Sequence, residues 1–272
     1  MDKEIEQQEE ILHTQHADPE EVLEDVAFYR TLAANVCMIG KPDGEWVLVD
    51  TSIGRYSTRI IAAVEKRFGH NPPKAIILTH GHFDHAGSAK DLAKHWDIPI
   101  YIHAEELAYV TGEKGYPPAD PTVGGGLLSL ISTVFPKEPV NLKGLVFTLP
   151  DDGQIPLLND WKYVHTPGHT PGHICLYREK DKTLITGDAV VTEKPESSLA
   201  VFLPIQKIHG PPSYLTQDWD KAEQSVKKLA QLEPNLVISG HGLPMDGETL
   251  REQLDDLATN FYSKSIPKHR KN

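Results

Sequence analysis

The chain has 272 residues, 39% of them hydrophobic, with 27 Lys and Arg against 39 Asp and Glu, a formal net charge of -12. That length and apolar content suit a globular body with a large core, and the acidic balance argues against a protein that holds nucleic acid or anionic lipid on a broad cationic surface. Cys37 and Cys175 are too few for a secreted disulfide framework, the charged start MDKEIEQQEE is unlike a signal peptide, and no run reaches the ~18 apolar residues that span a bilayer; a cytoplasmic protein with reduced, buried thiols is the expectation.

Residues 1–30 read as an acidic, weakly helical arm. LAANVCMIG and EWVLVDT then flank the turn-forming KPDG, which predicts an antiparallel strand pair. TRIIAAVEKRFG carries apolar residues at helical spacing and ends at a glycine, so a helix follows. KAIILTH reads as a strand, SAKDLAKHW as a helix and IPIYIH as a strand, an alternation that asks for a sheet covered by helices. Between 111 and 145 the composition turns rich in glycine and proline, then apolar in LLSLISTVF, which marks an insert able to form a lid or substrate wall. LVFTLP, WKYVHT, HICLYR and TLITG are four short strands, DWDKAEQSVKKLAQL an amphipathic helix, NLVISG a strand and TLREQLDDLATNFYSK a closing helix. A second insert covers 192–216, and residues 263–272 form a basic, solvated tail.

ILTHGHFDHAG, residues 77–87, concentrates three histidines and an aspartate just past an apolar run. His80 and His82 are two apart and point the same way on an extended segment. A turn into helix near Asp84 lets Asp84 and His85 face a second point. Four ligands from so short a loop would crowd one ion that prefers four in all, so the spacing fits two ions better. HTPGHTPGH, TGDAV and SGHG each follow a strand and place His169, Asp188 and His241 just beyond its end. Polar residues at the carboxyl ends of buried strands are the common furniture of a site. Coordination chemistry divides them: His80, His82 and His169 on one ion, Asp84, His85 and His241 on the other, Asp188 bridging. Imidazole and carboxylate ligands favour zinc, with manganese or iron as alternatives.

In this order THGHFDHAG, TPGHTPGH, GDA and SGHG resemble the signature of the metallo-β-lactamase superfamily over roughly residues 30 to 262. The resemblance implies an α/β protein of αββα sandwich form, two facing mixed sheets with helices on the outer faces and a binuclear centre in the cleft between them. It keeps His169 as the ligand of its motif and leaves His165 and His173 outside the metal shell. Asp50, in VLVDTS, matches a family aspartate that supports the metal loop, with a cap on the following helix as its other reading. The implied chemistry is attack by a metal-held hydroxide on an ester, thioester or lactone carbonyl, Asp84 serving as ligand and as the group that orients the nucleophile or shuttles its proton.

The apolar content of the two inserts points to a small apolar acyl substrate, with His209 a further polar contact. Aspartate at 188, where β-lactamases typically have cysteine or serine, argues against antibiotic hydrolysis. Val191 stands where quorum-quenching lactonases have a tyrosine, so Tyr109 or Tyr214 would have to supply the missing phenol. Few residues follow His241, unlike the helical extension with which glyoxalase II enzymes grip glutathione. A mononuclear iron persulfide dioxygenase is the rival reading and a non-catalytic metal-binding protein the third; retention of His85 and His241 favours the binuclear hydrolase. The oligomeric state is left open.

Overall fold

Apolar residues alternating along short strands build two sheets, and the computed structural model describes residues 18–120, 123, 140–193 and 206–271. β1 (Glu20–Leu23), β2 (Val26–Tyr29), β3 (Val36–Ile39), β4 (Val47–Val49), β5 (Ile76–Ile77), β6 (Ile100–Ile102) and β7 (Val146–Thr148) form one sheet in that spatial order. The pairs β1 to β4 are antiparallel and those from β4 to β7 parallel. β8 (Lys162–His165), β9 (Ile174–Arg178), β10 (Thr183–Gly187), β11 (Leu236–Ser239) and β12 (Met245–Asp246) make the second sheet, ordered β12-β11-β10-β9-β8, with only β10 and β11 parallel. The helices are α1 (Ser57–Phe68), α2 (Phe83–Ala86), α3 (Ala89–Trp96), α4 (Leu107–Val110), α5 (Trp219–Ala230), α6 (Gly247–Thr259) and α7 (Phe261–Lys264).

The period of two sorts each strand between two cores. On β3, Cys37 and Ile39 join Phe28, Ile77, Trp161, Leu176 and Ile238 between the sheets, while Val36 and Met38 pack with Ile60 and Val64 of α1 and Leu92 of α3. On the far side Cys175, Leu184 and Val237 meet Val226 and Leu229 of α5 and Leu250 and Leu254 of α6. Helix, sheet, sheet and helix are thus the four layers of an αββα sandwich, as the sequence implies. Burial pushes the Cys175 thiol up to about 12 and the Cys37 thiol higher still, and the two lie in different cores, so both are inert and unpaired.

The weakly helical reading of residues 1–30 is corrected over 20–29, where β1 and β2 extend the first sheet; residues 1–17 lie outside the described residues. Val26 to Tyr29 are buried and paired with β3, a gain no helix there would match, whereas Glu20 and Glu21 leave a charged, exposed edge. The closing helix is also divided: Asn260 ends α6, and its carbonyl accepts the Ser263 and Lys264 N–H groups of α7. LLSLISTVF and residues 194–205 of the second insert fall outside the described residues. Among the described residues no helix is long and apolar enough to cross a membrane.

Arg178, 1% exposed on β9, ties the sheets together. Its guanidinium donates to Asp25, in the β1–β2 turn, at 2.6 and 3.0 Å and to Asp181 at 2.7 and 3.1 Å, over the face of Trp161. Burial raises the pKa of Asp25 and Asp181, but the Arg178 hydrogen bonds and charge outweigh it and hold both below the ordinary value. Carboxylates with depressed folded pKa values stabilise above the unfolded value of ~3.9 and lose that contribution as pH falls through the folded one. Arg178→Ala is expected to cost about 3 kcal/mol at neutral pH, by leaving two half-buried carboxylates facing each other. Urea melts should show that loss shrinking below about pH 3; equal loss at both pH values would assign it to packing on Trp161 instead of charge.

Candidate metal centre

The candidate centre is built from the segments that follow strands. β4 runs into Asp50, β5 into Thr79, His80 and His82, and the single turn of α2 carries Asp84 and His85. His169 lies between β8 and β9, Asp188 follows β10, and His241 follows β11. The structure brings all seven predicted residues together, each at most 8% exposed.

Hydrogen bonds on the outward side of four histidines fix which nitrogen faces inward. Thr79 Oγ1 donates to Asp50 Oδ2, so at 3.1 Å from His80 Nδ1 it accepts the ring N–H and leaves His80 Nε2 bare. Thr216 Oγ1 likewise donates to the Pro212 carbonyl and accepts from His169 Nδ1 at 3.2 Å. His85 Nδ1 donates to Asp50 Oδ2 at 2.7 Å, and His241 Nδ1 to the Ala33 carbonyl at 2.9 Å. Four Nε2 lone pairs therefore point into one buried space. Such outer partners set ring orientation and raise ligand basicity in metal sites.

Inside, His80 Nε2 and His169 Nε2 each lie 3.0 Å from His82 Nδ1. That spacing is close to the ~3.3 Å edge of a tetrahedron with Zn–N bonds of ~2.05 Å. Asp188 Oδ2 is 3.3 Å from His169 Nε2, while its Oδ1 is 3.2 Å from His85 Nε2 and 3.3 Å from His241 Nε2. The two oxygens of one carboxylate thus address the two nitrogen sets separately. Asp84 Oδ2 stands 3.6 Å from His241 Nε2. Asp84 Oδ1, Asp188 Oδ1, His85 Nε2 and His241 Nε2 are buried without a hydrogen-bond partner in the protein. Buried acceptors facing one another at such distances are costly unless positive charge lies among them. The groups His80–His82–His169, His80–His85–Asp188 and Asp84–His85–His241 each gather their donor atoms within 4.8 Å, a potential binuclear metal site. The residues present fit a pair of divalent cations.

Electrostatics agrees with that fit. Burial, then neighbouring imidazoles, holds His80 and His82 well below the ordinary imidazole pKa, the neutral form a metal requires. Burial raises Asp188, but His241 and His85 outweigh it and keep the group ionised. Around His85 and His241 burial is outweighed in turn by Asp188, and for His85 also by Asp50, so both are raised: this half of the space attracts positive charge.

Asp50 caps no helix. α1 begins after Tyr56 without a side-chain cap, and Asp50 instead accepts the Thr79 N–H, the Thr79 hydroxyl and the His85 ring. Its φ of 59° is a left-handed conformation that aspartate tolerates better than most residues, and it turns the carboxylate back under the metal loop. His173 stays outside the cluster and accepts the Asp188 backbone N–H at 3.0 Å. His165 donates its Nε2 proton to the Pro171 carbonyl.

Two residues here were not foreseen. The Tyr116 ring lies 4.6 Å from that of His82 and stacks on Tyr109 at 4.3 Å, so Tyr116 is a phenol brought against the metal loop. Glu106, fully buried, reaches the backbone of both histidine loops. The signal in the sequence was an acidic residue three and four before Tyr109 and Val110, on the apolar face of a short helical stretch. His209 pairs its backbone with Val191 and lines a cavity of about 230 Å³ together with Lys207 and Gln253, and none of the seven cluster residues lines it.

The metallo-beta-lactamase superfamily model matches residues 29–241. The chain is 43% identical over 233 residues to a Bacillus subtilis (strain 168) protein described as probable metallo-hydrolase YflN, covering 85% of this chain and 88% of that one. It is 28% identical over 171 residues to hydroxyacylglutathione hydrolase GloC of Haemophilus influenzae, covering 62% and 68%. A B3 metallo-beta-lactamase with an active-site glutamic acid superposes with a TM-score of 0.62 over 96% of both chains at 17% identity, a likeness of fold alone.

Proposed function

Because the chain belongs to the metallo-beta-lactamase superfamily, and is a metal-dependent hydrolase of that kind, we propose that it cleaves the acyl bond of a small apolar ester, thioester or lactone with a pair of zinc ions, in the cytoplasm. The observation that carries the reading is the convergence of three bare Nε2 atoms, those of His85, His169 and His241, on the two oxygens of Asp188. Two bound divalent ions supply a hydroxide nucleophile at neutral pH and polarise the scissile carbonyl.

The chain's own residues do the rest. His80, His82 and His169 would hold one ion and Asp84, His85 and His241 the other, with Asp188 shared between the two sets. Asp50, Thr79, Thr216 and the Ala33 carbonyl keep the rings in their tautomers, so little reorganisation is needed during reaction. Asp84 Oδ1, buried and without a protein partner, is the acceptor that orients the attacking water and takes its proton.

The name of the Haemophilus relative describes hydrolysis of an acylated glutathione, which favours thioesters among the candidates. Aspartate at position 188 and the buried aliphatic Val191 turn the reading away from antibiotics and from a lactone oriented by a phenol at 191. Metal analysis followed by a panel of acyl esters, thioesters and lactones tests it. Two zinc or manganese per chain with hydrolysis of an apolar acyl substrate is expected. One iron per chain with oxygen-dependent consumption of a persulfide, or no acyl hydrolysis by the two-metal protein, would overturn it.

A further inference from the structure

The two histidine loops come from different sheets, and one buried carboxylate joins them. Glu106, 0% exposed, follows β6 on the single 3₁₀ turn before α4. Its Oε2 accepts the N–H of Gly81, between His80 and His82, at 3.0 Å. Its Oε1 accepts the N–H of Gly172, in the loop that carries His169, at 2.7 Å. The Tyr116 hydroxyl donates to Oε2 and also lies 3.1 Å from the Gly81 nitrogen, while its ring packs on His82. Both glycines are forced by this approach: a Cβ on Gly81 would sit 2.5 Å from the Tyr116 hydroxyl, and one on Gly172 2.8 Å from Glu106 Cγ. Loops of 80–82 and 169–172 are thereby held at a fixed separation by a group that touches no metal-facing atom.

We propose that Glu106, with Tyr116, is a positioning residue for the candidate metal centre, setting the distance between His82 and His169 and so the affinity of the three-histidine site. This rests on the metal-centre reading above. The carboxylate is needed in its acceptor-only form, because each oxygen meets a backbone N–H. Glu106→Gln keeps the size but turns an NH₂ toward one of those donors, leaving a buried N–H unpaired and the two loops free to separate.

The test is a chelator-competition titration of the full chain with zinc, together with the visible spectrum of the cobalt-substituted protein, for wild type, E106Q and Y116F. E106Q is expected to weaken one of the two zinc-binding steps, that of the three-histidine site, by roughly 10- to 100-fold, the size typical when an outer partner of a ligand is lost, and to alter the cobalt spectrum. Y116F should weaken the same step by about 2- to 10-fold, the worth of one hydrogen bond, and decides the matter if E106Q does not fold. Metal affinity and cobalt spectrum identical to wild type in the folded variants, whatever their melting temperatures, would reduce Glu106 to a packing role and overturn the proposal. Wild type is read in the same titration: fewer than two ions bound there would sink the metal-centre reading itself, while two ions with unaffected variants would sink only the role of Glu106.

Discussion

Asp188→Asn is expected to leave one metal ion per chain instead of two and to lower kcat/KM by about 100-fold or more, beyond the usual cost of losing an outer partner because the carboxylate faces both donor sets directly. The change is nearly isosteric, and the backbone N–H of residue 188 keeps its acceptor on His173, so the chain folds as before. What is lost is one negative charge among imidazoles and the ability of both atoms to accept. An amide nitrogen there would donate to an Nε2 lone pair, occupying the position that positive charge takes in the unmodified site. Elemental analysis with steady-state kinetics checks this; two ions and an unchanged rate would remove Asp188 as the bridge.

Asp84→Ala is expected to lower kcat of the metal-replete enzyme by more than about tenfold, in the range of a lost general acid–base group, with KM altered less. Asp84 sits in the first turn of α2, and its Oδ1 has no protein partner. Nothing in the loop depends on that carboxylate for its shape. The Thr51 N–H and hydroxyl both bond to the His85 carbonyl, and the Gly87 N–H bonds to that of Ser52, so the turn is held from the side of β4. Turnover near normal with full metal content would take Asp84 out of the chemistry, and loss of the second ion alone would limit it to holding metal.

The parts of the fold written as local alternation were legible in the sequence. Cys37 and Ile39 against Val36 and Met38 mark a strand buried on both faces, and the helical spacing of Ile60, Ala63 and Val64 marks the helix over it. The candidate site was legible for a related reason: each member lies in the loop or short turn that follows a strand, where an apolar run gives way to polar residues. β1 and β2 were hidden because Glu20, Glu21, Glu24 and Asp25 dominate a window whose burial is decided by pairing with β3, a long-range fact. Arg178 reads as an exposed strand-end charge until Asp25 and Asp181 close on it. The role of Asp50 came only through the family resemblance, and the reach of Glu106 to Gly81 and Gly172 depends on neighbours 25 and 66 residues away, which no periodicity records.

Tyr116 lies in the segment that follows α4, and its ring rests on His82. Any exchange of sequence in that segment therefore has a natural cut point. A graft spliced in downstream of Pro118 leaves Tyr116 and its contact with His82 in place. One spliced upstream of Tyr116 also discards the ring that packs on His82, so length variation among descendants of this chain is cheap only on the far side of that tyrosine.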